Sequence, residues 1–130
     1  MTVETVTVYK GTEKFELAAN PTNWILAREQ GYSPVQMLVT AVATCGGYVY
    51  TSVLENSQVP FEFEKIDVSY DRDTTKRADP VSAIAIQFFV KVPLEAQEKA
   101  TRCLKLVAPN CPVIQSLDPA IVVTETVHFC

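Results

Sequence analysis

Residues 33–56 read SPVQMLVTAVATCGGYVYTSVLEN, and the fold of this run decides how the rest of the chain must pack. Ser33 is a favourable N-cap, Pro34 suits the first helical position, and Gln36 completes a Ser-x-x-Gln capping box. No charged residue falls between Val35 and Leu54. Met37, Leu38, Val39, Ala41, Val42, Ala43, Val49, Val53 and Leu54 spread apolar side chains over every face of the predicted helix. A helix that is apolar all round is buried on all sides or spans a membrane. Thr40, Thr44, Gly46, Gly47, Thr51 and Ser52 weigh against a spanning segment, which wants about 20 predominantly apolar residues. The expectation is the buried central helix of a soluble domain, with Cys45 the one side chain of reactive potential in its middle. Gly46 and Gly47 each cost roughly 1 kcal/mol relative to alanine inside a helix, so they need a reason. Close approach of two helices across a dimer axis is one, and room for substrate beside the Cys45 sulfur is another.

Outward from this helix, the totals are those of one domain. A chain of 130 residues can bury a genuine core, and residues 1–130 are read as a single unit. A net charge of −4 and the absence of any Lys/Arg run argue against nucleic acid as a partner. No N-terminal stretch has the basic-then-apolar form of a signal peptide, so a cytoplasmic protein is expected. Cys45, Cys103, Cys111 and Cys130 show no C-x-x-C spacing, and neither a structural metal site nor a cofactor is expected.

Before the helix, residues 3–9 alternate as a strand, Lys10-Gly11 signals a turn, and residues 12–18 read as the returning strand of a hairpin. Asn20-Pro21 breaks it, and a loop through Trp24 and Arg28 leads to the helix cap. After the helix, residues 61–71 alternate, with Phe63, Lys65, Asp67 and Ser69 on one side and Glu64, Ile66, Val68 and Tyr70 on the other. A charged loop, 71–79, leads to 81–92, the strongest strand pattern in the chain. Residues 94–107 fit an amphipathic helix with Ala96, Ala100, Cys103, Leu104 and Val107 along one stripe, and Pro109 is read as its stop. Asn110-Cys111-Pro112 opens a short helical turn, and residues 121–129 form a last strand. Strands arriving in hairpins point to an α+β fold with antiparallel sheets. One domain of this size has difficulty covering a helix apolar on every side, and two copies packed together would solve that; a homodimer is expected.

Cys111, at the first turn of its short helix, meets free backbone N–H groups that favour a thiolate. It could form a redox couple with Cys45, or both could be small buried hydrophobes, the usual state of free cysteine. Taken together, SPVQMLVTAVATC and the Cys-Pro of NCPVIQSL, 66 residues on from Cys45, resemble the OsmC/Ohr family of osmotically induced and organic-hydroperoxide-resistance proteins. The resemblance runs over nearly the whole chain. It implies an intertwined homodimer with sheets wrapped round central helices and active sites at the subunit interface. It also implies a thiol-dependent peroxidase acting on organic hydroperoxides. Cys45 would be the peroxidatic thiolate, Cys111 the resolving thiol, and a thiol or dithiol the reductant that restores the pair.

The chain departs from the family pattern at two places. Active members carry a Glu directly after the cap proline, where this sequence has Val35 followed by Gln36. They also carry an Arg in the N-terminal hairpin region; here that region offers Lys10 and Lys14, and the nearest Arg is Arg28. Since burial disfavours a thiolate, a cation has to support it, and Lys14, Arg28, Gln36 and Tyr48 are the candidate supporting or substrate-binding residues. The alternative is a family member without peroxidase activity that binds a small apolar ligand at the dimer interface. Among the remaining residues, His128 is expected on the more polar face of the last strand, Cys103 in the core and Cys130 exposed. Trp24, Tyr32, Tyr48 and Tyr50 could line a pocket or simply pack.

Overall fold

The computed structural model describes residues 3–12 and 14–130, and the chain divides into two compact units, one ending at Leu38 and the other running from Val39 to Cys130.

The first unit holds a small antiparallel sheet of β1 (Val8–Lys10), β2 (Phe15–Leu17) and β3 (Trp24–Ile25), in that order. The expected hairpin is present but short: Val8 pairs with Leu17 and Lys10 with Phe15, and the turn closes through Gly11 N–H donating to the Lys14 carbonyl at 2.9 Å. Residues 3–7, read as strand, are outside the ladder. Glu13, inside the expected returning strand, lies outside the described residues. Trp24 and Ile25, read as loop, form a third strand instead, because their backbone pairs with Leu17 and Glu16.

Helix α1 (Pro34–Asn56) starts in this unit and continues into the second. Its capping box forms as expected: Gln36 N–H donates to Ser33 Oγ at 3.1 Å, and Ser33 N–H donates to Gln36 Oε1 at 2.8 Å. By length and composition the helix could cross a membrane, with a mean hydropathy of 1.5. Its burial within this chain is one-sided rather than complete. Val39, Val42, Ala43, Gly46, Gly47, Tyr50 and Leu54 are buried, at the spacing of one helix face, while Leu38, Ala41, Thr44, Tyr48 and Ser52 are exposed.

In the second unit, the buried face of α1 meets a sheet of β4 (Glu62–Arg72), β5 (Val81–Lys91) and β6 (Val122–Phe129), with β5 in the middle. Alternate residues Ile84, Ile86, Phe88 and Val90 of β5 are buried and form the floor of the core. Tyr50 stacks on Phe88 with ring centroids 5.0 Å apart, and its hydroxyl donates to the Ala100 carbonyl at 2.8 Å. That phenol is therefore packing, and burial pushes its ionisation well above the ordinary range. A register shift between Phe63 and Lys65 corrects the simple alternation expected for β4. The extra residue brings Phe63 round to the inward side with Ile66, Val68 and Tyr70, where it packs edge-on against Tyr50 and Phe88.

The expectation of antiparallel sheets holds for β4–β5 but not for β6, which runs parallel to β5 from Ala83↔Val122 to Val90↔Phe129. The helical segment between the two strands is long enough for a crossover, which parallel pairing requires. That segment is also less regular than the single helix expected. A 3₁₀ turn (Leu94–Ala96), α2 (Gln97–Cys103), a second 3₁₀ turn (Leu104–Leu106), α3 (Val107–Asn110) and α4 (Pro112–Gln115) follow one another. Pro109 sits inside α3 rather than after it, since the first turn of a helix has no use for the missing N–H. The expected stripe survives these breaks, with Ala100, Cys103 and Val107 buried. On the outer sheet face, Lys65, Phe89 and His128 form a row: the ammonium lies 4.7 Å from the Phe89 centroid, and the imidazole stacks on that ring at 4.8 Å. His128 is exposed, as expected.

Of the two glycines, Gly47 is the one that lets α1 lie close on the sheet. A Cβ on Gly47 would stand 2.5 Å from Ile66 Cδ1, whereas one on Gly46 would meet Ile86, Phe88 and Val107 at ordinary distances of 3.5–3.7 Å. Gly46→Ala is therefore expected to stabilise the fold by roughly 0.5–1 kcal/mol through helix propensity. Gly47→Ala gains less or loses stability because Ile66 must move, and thermal unfolding of the two variants reads the difference. Glu125 gives a second prediction. It lies on the inward side of β6 with Oε1 buried and unpartnered, and burial pushes its carboxyl above the ordinary 4.5. Its folded-state value is raised, so its contribution is intact below 4.5 and is lost as pH rises through the shifted value. Glu125→Gln should remove that loss and stabilise the protein at neutral pH by roughly a few tenths of a kcal/mol, allowing for solvent screening. Denaturant midpoints measured from pH 4 to 8 (a working range of about four units) test the sign.

Candidate functional site

Cys45 and Cys111 come together in the second unit. Cys45 lies midway along α1, half-buried, immediately before the glycine that faces Ile86, Phe88 and Val107. Cys111 is fully buried at the junction of α3 and α4. Its backbone is extended, φ −98° and ψ 109°, so it serves as N-cap to α4, and its sulfur accepts from Ile114 N–H at 3.5 Å. Both thiols are free.

The electrostatic balance at Cys111 differs from the sequence expectation. The N–H groups of Ile114 and Val113 pull its ionisation down, as a helix N-terminus should, but burial outweighs them and the net shift is upward. Interaction of its thiol with Cys45 pushes the same way. The Cys111 thiol thus keeps its proton more firmly than an ordinary cysteine. Cys103, by contrast, is a core residue whose sulfur contacts Ser57 Oγ at 3.6 Å, and Cys130 is exposed at the end of β6.

The four supporting candidates fall in different places. Lys14 is exposed in the β1–β2 turn, and Arg28 is exposed in the turn before α1; both belong to the first unit. Gln36 spends its side-chain oxygen on the helix cap. Tyr48 is 73% exposed and forms a ridge on α1 between two clefts. The smaller, about 190 Å³, is lined by Thr44, Thr51, Phe63 and Ile66 among others. The larger, about 490 Å³, is lined by Val49, Ser52, Val53, Asn56, Leu106 and Asn110 together with Tyr48 and Ser57. Sequence reasoning missed this cleft. Half of it was available as the helical series Val49, Ser52, Val53, Asn56; the other half depends on the break at 104–106, which a regular helix reading smooths over. Among the described residues, no group of three His, Cys, Asp or Glu side chains could hold a metal. What the site can do chemically is thiol chemistry.

A comparison with curated proteins found no match. Solved structures are similar at the level of the fold. A hypothetical protein from Aquifex aeolicus VF5 superposes with a TM-score of 0.77 at 20% identity, covering 100% of this chain and 99% of that one. An OsmC-like protein from Mycoplasma pneumoniae gives 0.77 at 13% identity, covering 98% and 97%. The organic hydroperoxide resistance protein OhrB of Bacillus subtilis gives 0.63 at 18% identity, covering 96% and 98%. The family model described as OsmC-like protein matches residues 27–126, a span that contains α1, both candidate thiols and all of the second unit's three-stranded sheet except the end of β6, and the chain therefore belongs to the OsmC-like family.

Proposed function

We propose that this protein is a thiol-dependent peroxidase for organic hydroperoxides, working through Cys45 and Cys111. The observation that carries this reading is the pairing itself: a half-buried thiol on α1 interacts with a fully buried, proton-retaining one from the α3–α4 junction. The Cys45 sulfur attacks the distal oxygen of the hydroperoxide, the O–O bond breaks, and the alkoxide leaves as an alcohol with the proton given up by the thiol. Cys45 becomes a sulfenic acid. The Cys111 thiol then attacks that sulfur, an S–S bond forms, and water leaves. A dithiol or a low-molecular-weight thiol returns the disulfide to two thiols by exchange, itself becoming oxidised. Arg28 and Lys14 are the cations proposed to support the Cys45 thiolate, since Val35 occupies the position where active members carry Glu.

The working protein in this proposal is a cytoplasmic homodimer. The support is the apolar, uncharged outer side of α1, with Leu38, Ala41 and Tyr48 exposed in a single chain, which a second copy would cover. Neither nucleic acid nor membrane has a part in it. The absent Glu also supports a second reading, in which the protein binds a small apolar ligand at the dimer interface without reducing peroxide.

Reduced protein is expected to consume cumene hydroperoxide and to end two hydrogens lighter, with Cys45 joined to Cys111 in the peptide map. Cys45→Ser should abolish consumption. Cys111→Ser should leave the first step and arrest the protein at a sulfenic acid that dimedone traps. A parent protein that leaves the peroxide untouched overturns the peroxidase reading in favour of ligand binding. For the assembly, Ala41→Arg places a charge on the exposed side of α1 and should convert a dimer to monomers in light scattering; a parent that is already monomeric removes the proposed interface.

A further inference from the structure

Cys111 stands at a corner that the backbone alone holds loosely. On either side is a helix of four residues, α3 and α4, and each contains a proline, Pro109 or Pro112, that brings no N–H. One backbone bond ties Cys111 back to α3, from its own N–H to the Ala108 carbonyl at 3.3 Å. On the other side, Gln115 N–H donates to the Cys111 carbonyl at 3.0 Å. Among the described residues, the one hydrogen bond that reaches from α4 to α3 is made by a side chain: Gln115 Nε2 donates to the same Ala108 carbonyl at 2.9 Å. Asn110 and Ser116 spend their side chains within their own segments, on the Leu106 and Pro112 carbonyls. Gln115 therefore braces the two arms of the corner, and it does so from the surface while the thiol between them is buried.

We propose that Gln115 is a positioning residue for the buried thiol: its amide, bound to the Ala108 carbonyl, fixes the α3–α4 corner so that Cys111 closes a disulfide onto Cys45. The inference rests on the Cys45–Cys111 couple of the peroxidase reading and adds what sets the pace of its second step. A cysteine has one side-chain rotation, so once its rotamer is set the direction of its sulfur follows the backbone. Here that backbone is extended, between two helices of a single turn each. A swing of the corner would carry the sulfur off line, and misplacement of a reacting atom is costly. A disulfide tolerates little of it, since it needs Cβ atoms roughly 3.5–4.5 Å apart and a dihedral of about ±85–100°. The donor at the Cys111 sulfur itself is Ile114 N–H, at 3.5 Å, so Gln115 acts through the corner and not on the thiol proton.

The test separates capture of an oxidant by Cys45 from closure by Cys111. Reduced full-length protein carrying Cys130→Ser, which removes the exposed thiol, is mixed with oxidised glutathione at about pH 8, close to the ordinary pKa of a thiol. Cys45 attacks one glutathione sulfur and expels the other as a thiol. Cys111 then attacks the Cys45 sulfur, the S–S bond of the couple forms, and the second glutathione leaves as a thiol. Mass spectrometry of acid-quenched samples follows both steps. Gln115→Ala and Gln115→Met, which lack a donor, should slow closure by roughly 2- to 10-fold and leave capture unchanged. Gln115→Lys, a donor of similar reach, should recover closure. Closure as fast as the parent's in both donorless variants, equal slowing of the two steps, or no recovery in Gln115→Lys overturns the proposal. A parent that closes with glutathione and spares cumene hydroperoxide removes the peroxidase step alone, and the variants still decide the role of Gln115. A parent that never closes overturns the couple and the positioning role together.

Discussion

The contact on which the second unit depends is that between the inner stripe of α1 and the middle strand of its sheet. Gly46 and Tyr50 lie against Phe88, Val42 and Leu54 are buried on the same stripe, and Gly47 sets how near the helix can come to Ile66. Hydrophobic burial supplies the driving force, and Tyr50 adds direction. Its ring lies flat on Phe88, while its hydroxyl reaches across to the backbone of α2. That one side chain ties helix, sheet and crossover segment together. The crossover then delivers Cys111 to α1, because Ala100, Cys103 and Val107 must face the same core. The meeting of the two thiols is a consequence of core packing, and no polar latch is needed to explain it.

The same burial that assembles the pair divides its labour. A thiol at a helix N-cap ordinarily gains acidity from the N–H groups around it. At Cys111 those groups are present and correctly aimed, yet the apolar surroundings prevail. A protonated, enclosed sulfur is a poor first nucleophile. It suits the second step, in which a thiol has only to meet a sulfenic acid already held next to it. Cys45 has the complementary situation, half-buried midway along α1. Exposure and proton retention thus support one order of events over the other.

Much of this was legible in the sequence, and the reasons differ by element. The cap of α1 was readable because Ser33 and Gln36 act within one turn, through bonds that depend on nothing distant. The strand at 81–92 and the helical turn at Cys111-Pro112 were equally local signals. The parallel placement of β6 was not readable, since alternation tells which residues share a face and says nothing about direction. The inward turn of Phe63 depends on a bulge at Glu64, where one unpaired residue reverses the alternation. The glycine pair was recognised as needing a close neighbour, but the neighbour is Ile66 of the same chain. Of the site, both cysteines were legible, whereas Leu106 and Asn110 reach the cleft through an irregular segment that periodicity cannot describe.

The outer side of α1 then follows from what the inner side has used. Close packing on the sheet consumes the small residues and leaves Leu38, Ala41, Thr44 and Tyr48 outward, a surface too apolar for ordinary solvent exposure and too free of charge for an electrostatic partner. A like surface is the simplest complement to it, because a neutral stripe of threonine, alanine and tyrosine can pack on itself without stranding an ion. Such an arrangement would carry a chemical consequence. Enclosing Cys45 between two uncharged helices would lower the local dielectric, which strengthens the effect of any charge near the sulfur.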